Sequence, residues 1–456
     1  MAIRPRPWRQ FCGGVALALL GLAGTAARAA SLWTQPTLLG PLGGVLPFLD
    51  RNGVTLGAVE QAVPSVVLAG GAAQGPAYAG LLTLSARADL ARAAGLAGLS
   101  AYVSAYLVQG HGPTAYQVHS LSGIAFVEAP GGARLGDAYL SWRAPANRVH
   151  LKLGKFGIDE NFDQNPAAAT LLDSNFTYRD IMANNLPGGG PAYSYSGPGA
   201  MAAVGVTPWL RLRAGVFSGD PLGRPLLGPP PPARDGDGLA FPLDTGALVI
   251  GEAQVRYRLP RLGPGTLRLG AVYDTLSRPD RAVSASGQSL ALAATGAAVG
   301  PARSDRGDWV LYGGATQMLW NGARHRRLSA FLRLAGAPAD RNLISFDAQA
   351  GAVLRAPFRS RRHDSLAFAV SYDRISRNAA SVIRAENGLA GTAQPVPDAE
   401  MVFELAYAAV LTPWLTLTPD LQYIAAPGGG IADPADPARR EPDAVIAQVQ
   451  ATVVFW

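Results

Sequence analysis

Apolar and polar side chains alternate with a period of two along almost all of this chain. Met401, Phe403, Leu405, Tyr407 and Ala409 share one face. After a break at Thr412-Pro413-Trp414, Leu415, Leu417, Leu421 and Tyr423 alternate with Thr416, Thr418, Asp420 and Gln422. Such a period means strands with one oily and one wetter face. A soluble sandwich would alternate too, and the N-terminus separates the two cases. Arg4, Arg6 and Arg9 precede an apolar core from Val15 to Ala23 and a small-x-small site at Ala27-Arg28-Ala29. This is the pattern of an export leader, residues 1–29, whose core is too short to span a bilayer. Alternating strands in an exported chain point to an all-β, antiparallel transmembrane barrel, with its oily face toward lipid and its polar face lining a channel.

Sixteen segments have strand character: 54–66, 79–90, 98–109, 135–143, 148–156, 199–206, 210–217, 247–259, 266–275, 308–320, 327–336, 344–355, 365–375, 401–411, 415–424 and 444–455. An even number returns both ends of the chain to the periplasmic side. Short connections (144–147, 207–209, 260–265, 321–326, 412–414) alternate with long ones (110–134, 157–198, 218–246, 276–307, 376–400, 425–443). Short periplasmic turns and long extracellular loops are expected of such a barrel. The expected organisation is a leader (1–29), an N-terminal periplasmic segment (30–53) and the barrel (54–456). The only cysteine, Cys12, leaves with the leader, so no disulfide is expected to hold the mature chain. Four arginines leave as well, taking the formal charge from +7 to near +3. That is too mild to argue for nucleic acid.

The cleanest strands predict the facing. Ala253, Val255, Tyr257 and Leu259 oppose Glu252, Gln254, Arg256 and Arg258. Leu210, Leu212 and Val216 oppose Arg211 and Arg213, and Leu267, Leu269 and Tyr273 oppose Arg268. Leu82, Leu84, Ala86 and Ala88 oppose Arg87 and Asp89, and Tyr102 and Tyr106 share a face with Ser100 and Ser104. Segments 199–206 and 308–320 have no clear phase. In the last strand Val445, Ala447, Val449, Ala451, Val453 and Phe455 form one apolar face, with Trp456 beyond it. A terminal aromatic strand is the usual tag for barrel-assembly machinery, an expected partner alongside outer-membrane lipid.

Several stretches resemble the carbohydrate-selective outer-membrane porins of the OprB type. They are Arg51-Asn52-Gly53-Val54-Thr55-Leu56, the loop stretch Asn184 to Tyr193, Arg213 to Pro221, and Leu411 to Tyr423 followed by Pro427-Gly428-Gly429. The resemblance runs from about Leu38 to Phe455. It implies a sixteen-stranded porin in the outer membrane of a Gram-negative bacterium. It also implies passive passage of sugars, glucose-like monosaccharides first, and neither cofactor nor metal. Association into a homotrimer stays open.

In porins a long loop narrows the lumen, and 157–198 is the longest connection here. It carries Asp159, Glu160, Asp163, Arg179, Asp180, Asn184 and Asn185. Opposite it, the expected pore lining is Arg87, Asp89, Tyr102, Tyr106, Arg211, Arg213, Glu252, Gln254, Arg256, Arg258, Arg268 and Arg333. Acids facing arginines across a narrow pore would replace the water of a polyhydroxylated solute by hydrogen bonds. Two other readings are kept. One is a general or anion-preferring pore, which the arginines suit equally. The other is a barrel enzyme or adhesin, which would need a serine beside one of the five histidines.

Overall fold

A computed structural model describes residues 32–226, 230–323 and 325–456. The expected leader, 1–29, lies outside the described residues, as does Arg324 of a short basic turn. Sixteen strands form one closed antiparallel barrel, each paired with the next in sequence and the last with the first. They are Val54–Ala69, Gly75–Asp89, Leu99–Gly110, Gly132–Arg143, Val149–Phe156, Gly197–Gly205, Leu210–Ser218, Ala247–Arg258, Pro264–Asp274, Asp308–Asn321, Arg327–Gly336, Ile344–Arg355, Ser365–Ile375, Ala399–Thr412, Leu415–Ala425 and Ala444–Val454. Among the described residues no helix is long and apolar enough to cross a membrane.

The alternation sets which face is outside. Val249, Leu269, Leu405 and Leu421 stand exposed on the outer wall, whereas Ile250, Glu252, Glu404 and Gln422 between them are buried inside. An outward oily band meets hydrocarbon without cost, while the backbone groups are satisfied strand to strand. The seam closes through the end of the chain. Phe455 donates its N–H to the Ala58 carbonyl at 2.9 Å, and Ala58 donates to Trp456 at 3.2 Å. Trp456 therefore continues the ladder. The N-terminal segment lies across the same end: Leu38 donates to Val454 at 2.8 Å, and a short helix, Val45–Arg51, leads into the first strand.

The lumen is filled on its long-loop side. Phe156, Ile158, Phe162, Ile181 and Met182 pack against Phe217, Leu248, Ile250, Val272 and Val310 of the inner wall. This apolar core inside the barrel explains why two segments had no readable phase. In Gly197–Gly205 and Asp308–Asn321, inward Met201, Ala203, Val310 and Tyr312 are as apolar as outward Val204, Trp309 and Leu311.

Candidate functional site

The connection 157–196 enters the lumen, and charge as well as oil holds it there. Asp163 is central. It accepts from Arg179 and, at 2.7 Å, from Arg333 Nη2 on the opposite wall. Arg179 also donates to Asp347 and, at 3.0 Å, to the Gly313 carbonyl. Both arginines are buried, Arg179 to 1% exposure and Arg333 to 3%. Burial raises the Asp163 pKa, but the two guanidinium groups outweigh it and hold the carboxyl below the usual range. Asn185 imitates a strand: its Nδ2 donates to the Ile344 carbonyl at 2.8 Å, and its Oδ1 accepts from the Leu343 and Ile344 amides at 3.0 and 3.1 Å. Asn184 donates to Leu121 and Asp180 carbonyls.

A second connection, 111–131, folds in beside it. The Glu400 carboxylate receives Ser120 Oγ at 2.7 Å and the amides of Leu121, Ser122 and Gly428. Ser122 in turn donates to Asp173 at 2.6 Å. No feature of composition marks 111–131 as an inward loop. Its anchor is a carboxylate in a strand almost 280 residues later, with backbone amides as partners.

Loop acids without a cation hold protons instead. Burial, then the neighbouring Glu160, pushes Asp159 up to about 7; burial pushes Glu128 to about 7 and Asp173 to about 8. Asp180 is driven well upward by burial and then by Asp173. Their folded pKa values lie above the unfolded ones of about 4, so their contribution to docking is complete below about pH 4 and fades as the pH rises through 7 to 8. Asp163 has the opposite sign and loses its contribution only in acid. Loop docking is therefore expected to loosen between about pH 5 and pH 8. Single-channel noise and protease nicking within 157–196 should both increase over that window; a flat profile would remove the idea.

Near the start of the inward loop, charged side chains reach water. Glu160 is exposed there, and so is Arg87 on the wall. The Arg87 guanidinium carbon stands 5.4 Å from the Tyr102 ring centre, and Tyr102 lies 5.1 Å from Tyr139. Lys152 Nζ sits 3.6 Å over the Tyr139 ring and donates to Asn161 Oδ1 at 3.3 Å. The Asn161 carbonyl accepts from Arg213 Nη1 at 3.1 Å. The charge of Glu160 acts on Tyr102, Tyr139 and Lys152. This patch thus combines cations, two phenol rings in tilted contact and an exposed carboxylate.

The other expected pore residues fall into distinct places. Arg213 donates to Glu252 at 2.9 Å and to Gln254 at 3.3 Å, while Glu252 also accepts the Asp163 amide at 2.6 Å. Arg268 is buried on the same wall. Tyr106 is buried edge-on to Tyr193, 5.4 Å away, and packs the loop. Asp159 accepts the Tyr193 amide at 3.1 Å. Arg333 and Arg179 serve loop docking as described. Asp89 caps the helix Leu90–Ala94 on the short-turn side, accepting from Ala91 at 3.0 Å. Arg211, Arg256 and Arg258 lie toward the short-turn end, below the loop. Lys152 was outside the expected set. The signal for it was present: the chain has only two lysines, both on the strand Val149–Phe156.

Ser141 Oγ and His150 Nε2 are 2.8 Å apart on the lumen wall. No carboxylate is among the partners of His150, and its electrostatic neighbours are Arg143, Lys152, Arg211 and Arg213. A triad would need an acid to orient this base, and the charges that bear most on His150 are cations.

The model of the carbohydrate-selective porins, OprB family, matches residues 73–455. Porin B of Pseudomonas aeruginosa is 31% identical over 209 residues, which is 43% of this chain and 43% of that protein. The matched part is thus under half the length of that curated relative. Among solved structures, OprB of Pseudomonas putida at high pH superposes with a TM-score of 0.81 at 21% identity, covering 92% of this chain and 99% of that one. The low-pH structure of the same protein gives 0.55 at 16% identity over the same shares.

Proposed function

Since the chain belongs to the OprB family of carbohydrate-selective porins, we propose that it carries out passive, carbohydrate-selective diffusion of monosaccharide-sized solutes. Its place is the outer membrane of a Gram-negative bacterium, and its class is a channel, not an enzyme. The observation that carries the substrate reading is the leading edge of the inward loop. Tyr102, backed by Tyr139, offers a flat apolar face to a sugar ring. Arg87 and Arg213 donate to hydroxyls, and Glu160 and the Asn161 amide oxygen accept from them. A solute with donors and acceptors all round exchanges its water for these groups step by step. An apolar solute of the same size cannot. The last strand would be the segment that assembly machinery takes, and a homotrimer belongs to the same proposal without an assigned face.

Liposome swelling tests the reading. Glucose should enter faster than a disaccharide and faster than a neutral, less hydroxylated solute of its own size. Glu160→Gln should slow glucose by roughly fivefold if the carboxylate is worth about 1 kcal/mol net in the passing complex. Potassium chloride conductance should change less. Equal changes in sugar and salt would leave Glu160 a steric element only, and the selective mechanism would fall.

A further inference from the structure

Acids are plentiful in the upper lumen and scarce in the lower. Beside the loop, Arg179 and Arg333 meet Asp163, and Arg213 meets Glu252. One step nearer the short turns, on the wall from Arg143 to Arg258, the arginines have no acid partner. Arg143, Arg148, Arg211, Arg256 and Arg258 form no ion pair among the described residues. Arg211 has only like charges for close neighbours, namely Arg213, Arg256 and Arg143, and donates to a single neutral carbonyl, that of Asn147, at 3.1 Å. A cleft of about 360 Å³ opens here between the turns 146–148 and 206–209. Arg148, Arg211, Arg256, Gln254 and Trp209 line it, and no acidic residue does.

We propose that this cleft is an anion-binding exit site, in which Arg148, Arg211 and Arg256 take the carboxylate of an acidic monosaccharide, an aldonate or uronate. The Arg211 and Arg256 guanidinium groups repel one another without a counter-charge, Arg148 lines the same cleft, and an anion relieves that repulsion. Their planar forks match two carboxylate oxygens, as a mobile ammonium would not. The cleft is at the small end of the volumes that hold small ligands, which suits one sugar ring. The Gln254 amide and the Trp209 indole N–H remain for hydroxyls. The short connections strengthen the field: among their described residues Arg92, Arg148, Arg261, Arg326, Arg359, Arg361 and Arg362 stand against the single acid Asp364. Such a potential concentrates anions at the mouth. The proposal rests on the sugar-channel reading for the ring, and on the arginine cleft alone for the charge.

The same chemistry could serve a lipid phosphate, so the test has two arms. Full-length channel is placed in neutral phosphatidylcholine membranes. Potassium glucuronate and glucose fluxes are compared for the wild type, Arg148→Gln/Arg211→Gln/Arg256→Gln, and the matching Arg→Lys variant. Glucuronate flux should fall by about tenfold in the glutamine variant, with glucose changing less than about twofold. The lysine variant should retain part of the glucuronate flux. The reversal potential in a potassium chloride gradient should move away from anions only in the glutamine variant. An unchanged glucuronate-to-glucose ratio in both variants overturns the site. So does a wild-type conductance that responds to added phosphatidylglycerol through these arginines while glucuronate flux does not. Loss of glucose preference over a neutral control in the wild type would count against the sugar reading instead, and would leave the ratio test standing.

Discussion

Arg179→Ala should widen and destabilise the channel more than any substitution at the pore edge. The side chain is fully enclosed and joins Asp163 of its own loop to Asp347 of the far wall, with the Gly313 carbonyl as a third partner. Its removal leaves Asp163 to Arg333 alone and Asp347 to Gln349, with a cavity where the guanidinium lay. Breaking a buried pair by deleting one member costs about 3–5 kcal/mol, most of it from the charge left behind. The apolar contacts of Phe162, Ile181 and Met182 remain, so the loop should sample an undocked state and not be lost. Single-channel recordings should show a larger, noisier conductance, and liposome swelling should show disaccharides entering. Arg179→Lys should rescue only in part, because an ammonium cannot serve three acceptors in a plane. Combining Arg179→Met with Asp347→Asn should be milder than Arg179→Ala, because Asp163 keeps Arg333 and no bare carboxylate is left at 347. Wild-type conductance and noise in Arg179→Ala would show that oil alone docks the loop.

Leu405→Arg should be the most costly single change on the outer wall. Leu405 is central in Ala399–Thr412 and 46% exposed, with Glu404 buried on the other face. Arginine there meets hydrocarbon, at about 2–4 kcal/mol near the midplane. Leu243→Arg is the control, since Leu243 is 78% exposed in the long connection 219–246 and should change stability by no more than about 0.5 kcal/mol. Reversible urea unfolding in vesicles measures both. Equal, small effects would mean that the 405 face does not touch lipid.

The outer wall was legible in the sequence because lipid imposes one rule on every outward position. That rule gave the sixteen strands, most ends within a few residues, and the inward facing of Arg213, Glu252 and Arg268. The inner wall obeys no single rule. Its upper part is apolar where loops pack and its lower part is cationic. Arg333 and Arg256 look alike in a pattern of alternation, yet one is buried against Asp163 and the other is exposed near the short turns. Distance along the barrel axis separates them, and that depends on register, which a single strand does not carry. The docking of 111–131 was hidden for a related reason: Glu400 and Gln422, which hold it, belong to strands far along the chain.

The docked loop also constrains how such a chain can be built. Residues 157–196 are made early, but their partners Asp347, Asp373 and Glu404 belong to strands that come later, and the Leu172–Glu404 contact spans 232 residues. Until Arg327–Gly336 arrives, the Asp163 carboxylate has only Arg179 beside it, and until the later strands follow, the apolar side of the loop has no complete wall. A partial barrel therefore holds its plug with only part of the final contacts, and closure of the cylinder and full docking of the loop are coupled. Contacts so distant in sequence make this coupled step slow. During the wait, open strand edges and an uncovered loop are exposed together, which is the state that most needs an escort across the periplasm.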